Sequence, residues 1–152
     1  MGILIQGGRV VDAASQMDKI ADVYLDGCVI QEIGEKLKVK DKDDRIIDAR
    51  GMVVMPGLVD LHVHFRDPGQ TEKEDIESGS KAAARGGVTT VVAMPNTTPV
   101  IDCPDRANYV KNKAAQVSPI HVLQAGAMTK GELGCELSDI AGMAAAGVPV
   151  LS

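Results

Sequence analysis

The sequence predicts an α/β protein in which a small β layer, residues 1–55, precedes the first part of a parallel (β/α)8 barrel, residues 56–152. Short β-like runs separated by glycine turns fill the first fifty residues, and strands then alternate with helices. Two histidines stand where the first strand of such a barrel would end. Alternation at this spacing favours parallel strands joined by right-handed crossovers.

The β layer is predicted from short apolar runs with glycine or aspartate between them. Asp26-Gly27 separates two of these runs and is typical of a hairpin turn. The segment Glu35–Arg50 is dense in both charges, which indicates a solvated hairpin edge. The predicted strands are Ile3–Ile5, Arg9–Val11, Ala21–Leu25, Val29–Ile33 and Arg45–Ile47.

From Met52, at the end of the β layer, the pattern changes to strands that alternate with helices. Val53–Val54 and Leu58–His64 are predicted as strand, with a turn at Pro56-Gly57 between them. The further predicted strands are Val88–Met94, Ile120–Ala125 and Val148–Leu151. The first predicted helix follows a capping box at Thr71–Glu74 and runs to Arg85. The second begins at Pro104 and has an apolar face formed by Ala107, Val110, Ala114 and Val117. The third has an apolar face formed by Leu137, Ile140, Ala141 and Ala144. About three and a half units cannot close a barrel of eight, so we expect a longer polypeptide; an open doubly wound sheet is the alternative.

Composition excludes several classes of function. The net charge is -5 and only 2% of the residues are aromatic, which leaves neither a basic footprint nor a stacking platform for nucleic acid. No segment resembles a targeting signal or a membrane span. The three cysteines are scattered and lack CxxC spacing, so neither a disulfide framework nor a thiolate zinc site is expected, and a cytoplasmic location fits best.

His62 and His64 are the candidate metal ligands. Alternate residues of a strand share a face, so both imidazoles point the same way at the end of the first barrel strand, the end at which parallel barrels carry their active sites. Neutral imidazole nitrogens suit zinc. Paired histidines also occur without a metal, so the spacing alone leaves that alternative open.

Arg66 and Asn96 are the candidate substrate ligands. Arg66 follows His64 by one strand step, and a planar guanidinium suits a substrate carboxylate; the alternative is a surface residue paired with Asp67 or Glu72. Asn96 follows the second strand, where its amide either binds substrate or forms an Asx-turn. His121, at the start of the third strand, is interpreted as structural, and Lys130 as a solvated loop charge.

The segment Asp60–Gly69, DLHVHFRDPG, resembles the signature of the dihydroorotases, and it continues into Gln70–Asp75. Gly86–Thr97 is similar to the second strand and loop of that family, and Pro56–Asp60 to the approach used across cyclic amidohydrolases. The resemblance implies a TIM-type barrel with part of the amidohydrolase β-sandwich in residues 1–55. It also implies reversible, zinc-dependent hydrolysis of L-dihydroorotate to N-carbamoyl-L-aspartate in pyrimidine biosynthesis.

In this resemblance His62 and His64 bind one or two zinc ions, and His64, Arg66 and Asn96 contact the substrate. The bridging ligand, two further histidines and the catalytic Asp are expected beyond Ser152, so the isolated chain is expected to be inactive. Implied partners are the rest of the barrel and either a second copy or aspartate carbamoyltransferase. The alternatives are a hydantoinase, dihydropyrimidinase or allantoinase, which Arg66 disfavours because their substrates lack the carboxylate, and a non-catalytic structural subunit.

Overall fold

The computed structural model describes all residues from Met1 to Ser152. Contacts divide the chain into two compact units, Met1–Pro56 and Gly57–Ser152. None of the helices is long and apolar enough to cross a lipid bilayer.

The first unit is a five-stranded sheet. Its strands are β1 (Gly2–Asp12), β2 (Met17–Asp26), β3 (Val29–Gly34), β4 (Arg45–Asp48) and β5 (Val53–Val54). The strand order is β3-β2-β1-β4, and β5 also pairs with β1. Strand β2 runs antiparallel to both β1 and β3, whereas β4 and β5 run parallel to β1. The hairpin at Asp26-Gly27 is confirmed, and Gly27 adopts the left-handed φ of 58° that its turn requires.

Two predictions for this unit are wrong in detail. Glu35–Arg50 does not form a hairpin edge: its turn leads into β4, which pairs parallel to β1. The turn is held by Asp44, whose carboxylate accepts from the Tyr24 hydroxyl at 2.7 Å and from the Gly2 amide at 2.6 Å. Val53–Val54 belongs to this sheet as β5 and not to the barrel strand, because its backbone is paired with β1.

The second unit is a three-stranded parallel sheet with helices between its strands. The strands are β6 (Leu58–Val63), β7 (Val88–Ala93) and β8 (His121–Gln124), in the order β6-β7-β8, and the helices are α1 (Ile76–Arg85), α2 (Pro104–Val117) and α3 (Ile140–Ala145). The predicted alternation and parallel pairing are therefore confirmed. Residues 150–152 form only a single parallel bridge, between Leu151 and Gly126, where a fourth strand was predicted.

Helix α1 begins later than predicted. Its N-cap is Asp75, which accepts from the Ser78 amide at 2.7 Å while the Ser78 hydroxyl accepts from the Asp75 amide at 3.3 Å. Thr71 lies instead in a turn, where the Lys73 amide donates to the Gln70 carbonyl. The helix ends at Gly86, as predicted.

The predicted face of α2 is confirmed, since Ala107, Val110 and Ala114 are buried and Pro104 opens the helix. The predicted face of α3 is wrong: Met143 is its buried residue, and Leu137 lies before the helix with 65% of its surface exposed. The cause is the cap, because the Asp139 carboxylate accepts from the Gly142 amide and starts the helix at Ile140.

The core of this unit lies between the sheet and its helices. It contains the buried residues Phe65, Ile76, Val91, Ala93, Ile101, Ala107, Val110 and Ala114. Val92, Met94 and Ala125 form a second cluster, and Val91 and Val92 must point to opposite faces because they are neighbours in one strand. Each such buried aliphatic side chain contributes about 1.5–3 kcal/mol.

Candidate metal centre

The two histidines meet at the carboxyl end of β6. His62 is the second-to-last residue of β6, and His64 directly follows Val63, the last residue of the strand. Their ring centroids are 5.1 Å apart and the ring planes are inclined at 72°. The pairing of β6 with β7 shifts register between Asp60 and Val63, and such bulges redirect side chains at sheet edges.

Asn96 orients His64. The Nδ1 atom of His64 lies 2.8 Å from Oδ1 of Asn96, which follows β7. A carbonyl oxygen can only accept, so Nδ1 is the donor in this contact, and Nε2 is the nitrogen whose lone pair the neutral imidazole offers to a metal. The Asn96 oxygen is thus bound to an imidazole and does not close an Asx-turn, and the two N–H groups of its amide remain available.

These side chains line a cavity of about 230 Å3 at the carboxyl ends of β6 and β7. Its lining residues are His62, His64, Met94, Pro95, Asn96, Glu132 and Ser152. The carboxyl ends of parallel strands share one edge of a sheet, which is why loops distant in sequence meet there.

Glu132 is a site residue that sequence reasoning missed. It is exposed, has a φ of 59° and belongs to the single 3-10 turn, Lys130–Glu132, after β8. Its position in the sequence could have indicated this, because Glu132 follows the third parallel strand and so lies at the same sheet edge as the two histidines. The neighbouring Lys130 pairs with exposed Glu136, in agreement with its interpretation as a solvated charge.

The donor set fits part of a zinc site. His62 and His64 supply two nitrogen ligands, and Asn96 is the hydrogen-bonding partner that metal-binding histidines commonly have. Nowhere in the chain do three or more His, Cys, Asp or Glu side chains form a group that could hold a metal ion. Residues 1–152 therefore offer two ligands and not a closed coordination shell.

Arg66 stands apart from the cavity lining. It is half-buried, has a φ of 58°, and accepts from the Gln70 amide at 2.9 Å through its backbone carbonyl. Its guanidinium forms no ion pair: Asp67 is paired with Lys113 instead, and Glu72 has no salt bridge. The ion pair that the alternative interpretation of Arg66 requires is thus not formed.

His121 is the first residue of β8 and is exposed, at the opposite strand end from the cavity. A larger cleft of about 500 Å3 lies in the first unit. Its polar groups are mostly used: Asp48 pairs with Arg50, and the Asp22 carboxylate accepts from the amides of Gly7 and Leu37. We therefore place the candidate site at the smaller cavity, where the imidazoles are.

Comparison with known proteins identifies the family of the chain. A family model described as dihydro-orotase-like matches residues 51–152. The dihydroorotase of Clostridioides difficile strain 630 is 55% identical over 147 residues, covering 97% of this chain and 34% of that protein. The dihydroorotase of Ruminiclostridium cellulolyticum is 44% identical over 152 residues, covering 100% of this chain and 35% of that protein.

Among solved structures, the L-hydantoinase (dihydropyrimidinase) of Arthrobacter aurescens superposes with a TM-score of 0.73 at 29% sequence identity, over 86% of this chain and 29% of that one. The chain thus spans about a third of the length of the curated relatives that it matches. Since the family model covers most of the chain and includes both histidines, the chain belongs to the dihydro-orotase-like family.

Proposed function

We propose that residues 1–152 are the N-terminal third of a dihydroorotase, which interconverts L-dihydroorotate and N-carbamoyl-L-aspartate. The observation that carries the proposal is the joining of His62, His64 and Asn96 at the carboxyl ends of adjacent parallel strands. Family membership supports it, and so does the identity with proteins named dihydroorotase.

Each of these side chains has a distinct task in the proposal. Nε2 of His64 and one nitrogen of His62 would hold zinc, which when bound polarises a carbonyl and lowers the pKa of water to about 7. Asn96 keeps Nδ1–H of His64 engaged, and its amide N–H groups would donate to the substrate carboxylate. Arg66, free of ion pairs, supplies the charge that a carboxylate needs.

The remaining machinery would come from the rest of a longer polypeptide. We propose that the parallel sheet β6-β7-β8 is the opening of a (β/α)8 barrel, with the general acid–base Asp and the other metal ligands on later strands. Exposed apolar side chains support this: Val59 is 57% exposed, Leu61 70% and Leu123 40%. A second copy of the chain or aspartate carbamoyltransferase are the proposed partners.

A hydantoinase-type activity is the second candidate, favoured by the likeness to the Arthrobacter aurescens structure. The two candidates differ in the charge of the ring substrate. Dihydroorotate carries a carboxylate and a hydantoin or dihydropyrimidine ring does not. A dihydroorotase therefore needs a cation, such as Arg66 two residues beyond His64, and a hydantoinase does not.

The test uses a full-length protein containing residues 1–152. A chimera that joins residues 1–152 to the last two thirds of the Clostridioides difficile relative can serve as this protein, because the two chains are 55% identical over the matched 147 residues. We expect hydrolysis of dihydroorotate, little hydrolysis of dihydrouracil, and bound zinc. His62→Asn and His64→Asn should each lose zinc and activity, whereas His121→Asn, the third histidine, should keep both. Preferred turnover of dihydrouracil would favour the hydantoinase candidate.

A further inference from the structure

Asp67 is a buried carboxylate that the proposed reaction does not use. Its side chain is 1% exposed, and it directly follows Arg66 in the loop after β6. Buried charges are rare in proteins and persist only where they are paired. Because the Asp67 carboxylate is hidden from solvent, it does not contribute to solubility, and its burial requires another explanation.

The partners of Asp67 both lie on α2. The Tyr109 hydroxyl donates to Oδ1 at 3.0 Å, and the Lys113 ammonium lies 2.6 Å from Oδ2. Tyr109 and Lys113 are four residues apart, so they share one face of the helix, and the ammonium is 5.9 Å from the centre of the Tyr109 ring. Oδ2 is buried and has no hydrogen-bond partner, so the ion pair with Lys113 alone neutralises that oxygen. The same pairing raises the pKa of Lys113.

The loop that Asp67 anchors is also joined to the loop that carries Asn96. The Thr98 amide donates to the Pro68 carbonyl at 3.1 Å, and the Gln70 amide group donates to the Thr98 hydroxyl at 3.1 Å. Gly69 packs so closely that a Cβ there would lie 1.7 Å from the Thr98 carbonyl oxygen, and its φ is 91°. The two loops are therefore held together as one body.

We propose that Asp67 is a positioning residue: its attachment to Tyr109 and Lys113 of α2 fixes the joined loops that carry Arg66 and Asn96. The anchor thereby determines how well the site binds a ring substrate with a carboxylate. This inference rests on the proposed function for its substrate, while the anchoring itself can be measured without any turnover. Asp67 touches no reacting atom and acts only through the residues that it holds in place.

The kinetic test compares Lys113→Met and Tyr109→Phe with Lys111→Met in the full-length protein. Lys111 is an exposed lysine of the same helix that forms no ion pair. Loss of an interaction that only positions substrate-binding groups raises KM with little change in kcat. For Lys113→Met we expect KM for dihydroorotate to rise about tenfold, kcat to change less than about threefold, and zinc content to stay normal. Lys113→Arg, which keeps the charge, should restore most of the binding.

The second readout is backbone hydrogen exchange. The Gln70 and Thr98 amides, which donate to the carbonyls of Arg66 and Pro68, should exchange about tenfold faster in Lys113→Met and less so in Tyr109→Phe. The Val91 amide, in the middle of β7, should not change. Tyr109→Phe removes one hydrogen bond from an otherwise intact helix, so it provides a result even if Lys113→Met fails to fold.

The outcomes separate the two proposals. A parent protein without dihydroorotate hydrolysis would refute the proposed function, and exchange at Gln70 and Thr98 would still decide whether the anchor exists. An active parent in which both variants match Lys111→Met in KM and in exchange would overturn the anchor. A fall in kcat together with zinc loss and unchanged KM would also overturn it, because that pattern belongs to general destabilisation.

Discussion

At the scale of single residues, the contact between His64 and Asn96 joins two groups that are 32 positions apart in the chain. The spacing of His62 and His64 was enough to predict that the imidazoles share a face. Nothing in that spacing indicates which nitrogen of His64 carries the hydrogen. The tautomer is decided by the Asn96 oxygen, and with it the direction of the lone pair available to a metal.

Replacing Asn96 with alanine should therefore weaken metal binding as well as substrate binding. Loss of the group that hydrogen-bonds a metal-binding histidine typically lowers metal affinity about 10–100-fold. We expect Asn96→Ala in the full-length protein to raise the zinc dissociation constant within that range, measured by competition with a chelator. Asn112→Ala, an exposed amide on α2, serves as the control. Unchanged zinc affinity with a raised KM would restrict Asn96 to the substrate.

Arg66 supports a prediction about substrate choice. Removal of a charge-assisted contact to a carboxylate costs a few kcal/mol, so Arg66→Met should lower kcat/KM for dihydroorotate by at least about a hundredfold with normal zinc content. Arg85→Met, at the exposed end of α1, is the matched control. Wild-type kinetics in Arg66→Met would make Arg66 a surface residue and would strengthen the hydantoinase candidate.

At the scale of the elements, the sequence predicted the three strands and the three α-helices of the second unit. It also predicted a fourth strand, which is only a single bridge, and it misplaced two helix boundaries. Both boundary errors came from caps. Thr71–Glu74 and Asp75–Ser78 each have the residue types of a capping box, and the helix uses the second because Thr71 already belongs to the turn that follows Gln70. For α3, the cap at Asp139 leaves Leu137 outside the helix, and the buried residue of the helix is Met143.

The position of the α1 cap gives a test by substitution and by pH. Asp75→Ala should lower the midpoint of thermal unfolding by about 2–8 °C, the effect typical of a lost cap in a domain, whereas Thr71→Ala should leave it nearly unchanged. The Ser78 amide lowers the pKa of Asp75, so this carboxylate stabilises the fold above its unfolded pKa, about 3.9. The difference between wild type and Asp75→Ala should shrink as the pH falls from that value through the lowered pKa of the folded state. Equal effects of the two substitutions would contradict the assigned cap.

At the scale of the whole molecule, the second unit leaves apolar surface uncovered. Leu61 is 70% exposed, Val59 57% and Val150 46%. Leu151 pairs with Gly126 in a single bridge, where a full fourth strand would cover the sheet edge. An uncovered sheet edge and face are the features that closure of a barrel removes.

Residues 1–152 expressed alone should accordingly associate. At about 25 cal/mol per Å2, exposed apolar surface of this kind is comparable to a large part of a domain's net stability. We expect light scattering after size exclusion to show oligomers or aggregates, and expect no dihydroorotate hydrolysis. A monodisperse monomer that unfolds cooperatively would show that the exposed surface is tolerated, and measurable hydrolysis would show that no further ligands are needed.

The sequence by itself determined the α/β alternation, the hairpin at Asp26-Gly27, the buried face of α2 and the shared face of His62 and His64, because each depends on backbone geometry over a few residues. Only the tertiary structure decided that Val53–Val54 pairs with β1 and that Asn96 meets His64. It alone also placed Asp67 against Tyr109, 42 residues away. Such contacts depend on how elements pack, and local periodicity carries no information about which distant groups the packing brings within hydrogen-bonding distance.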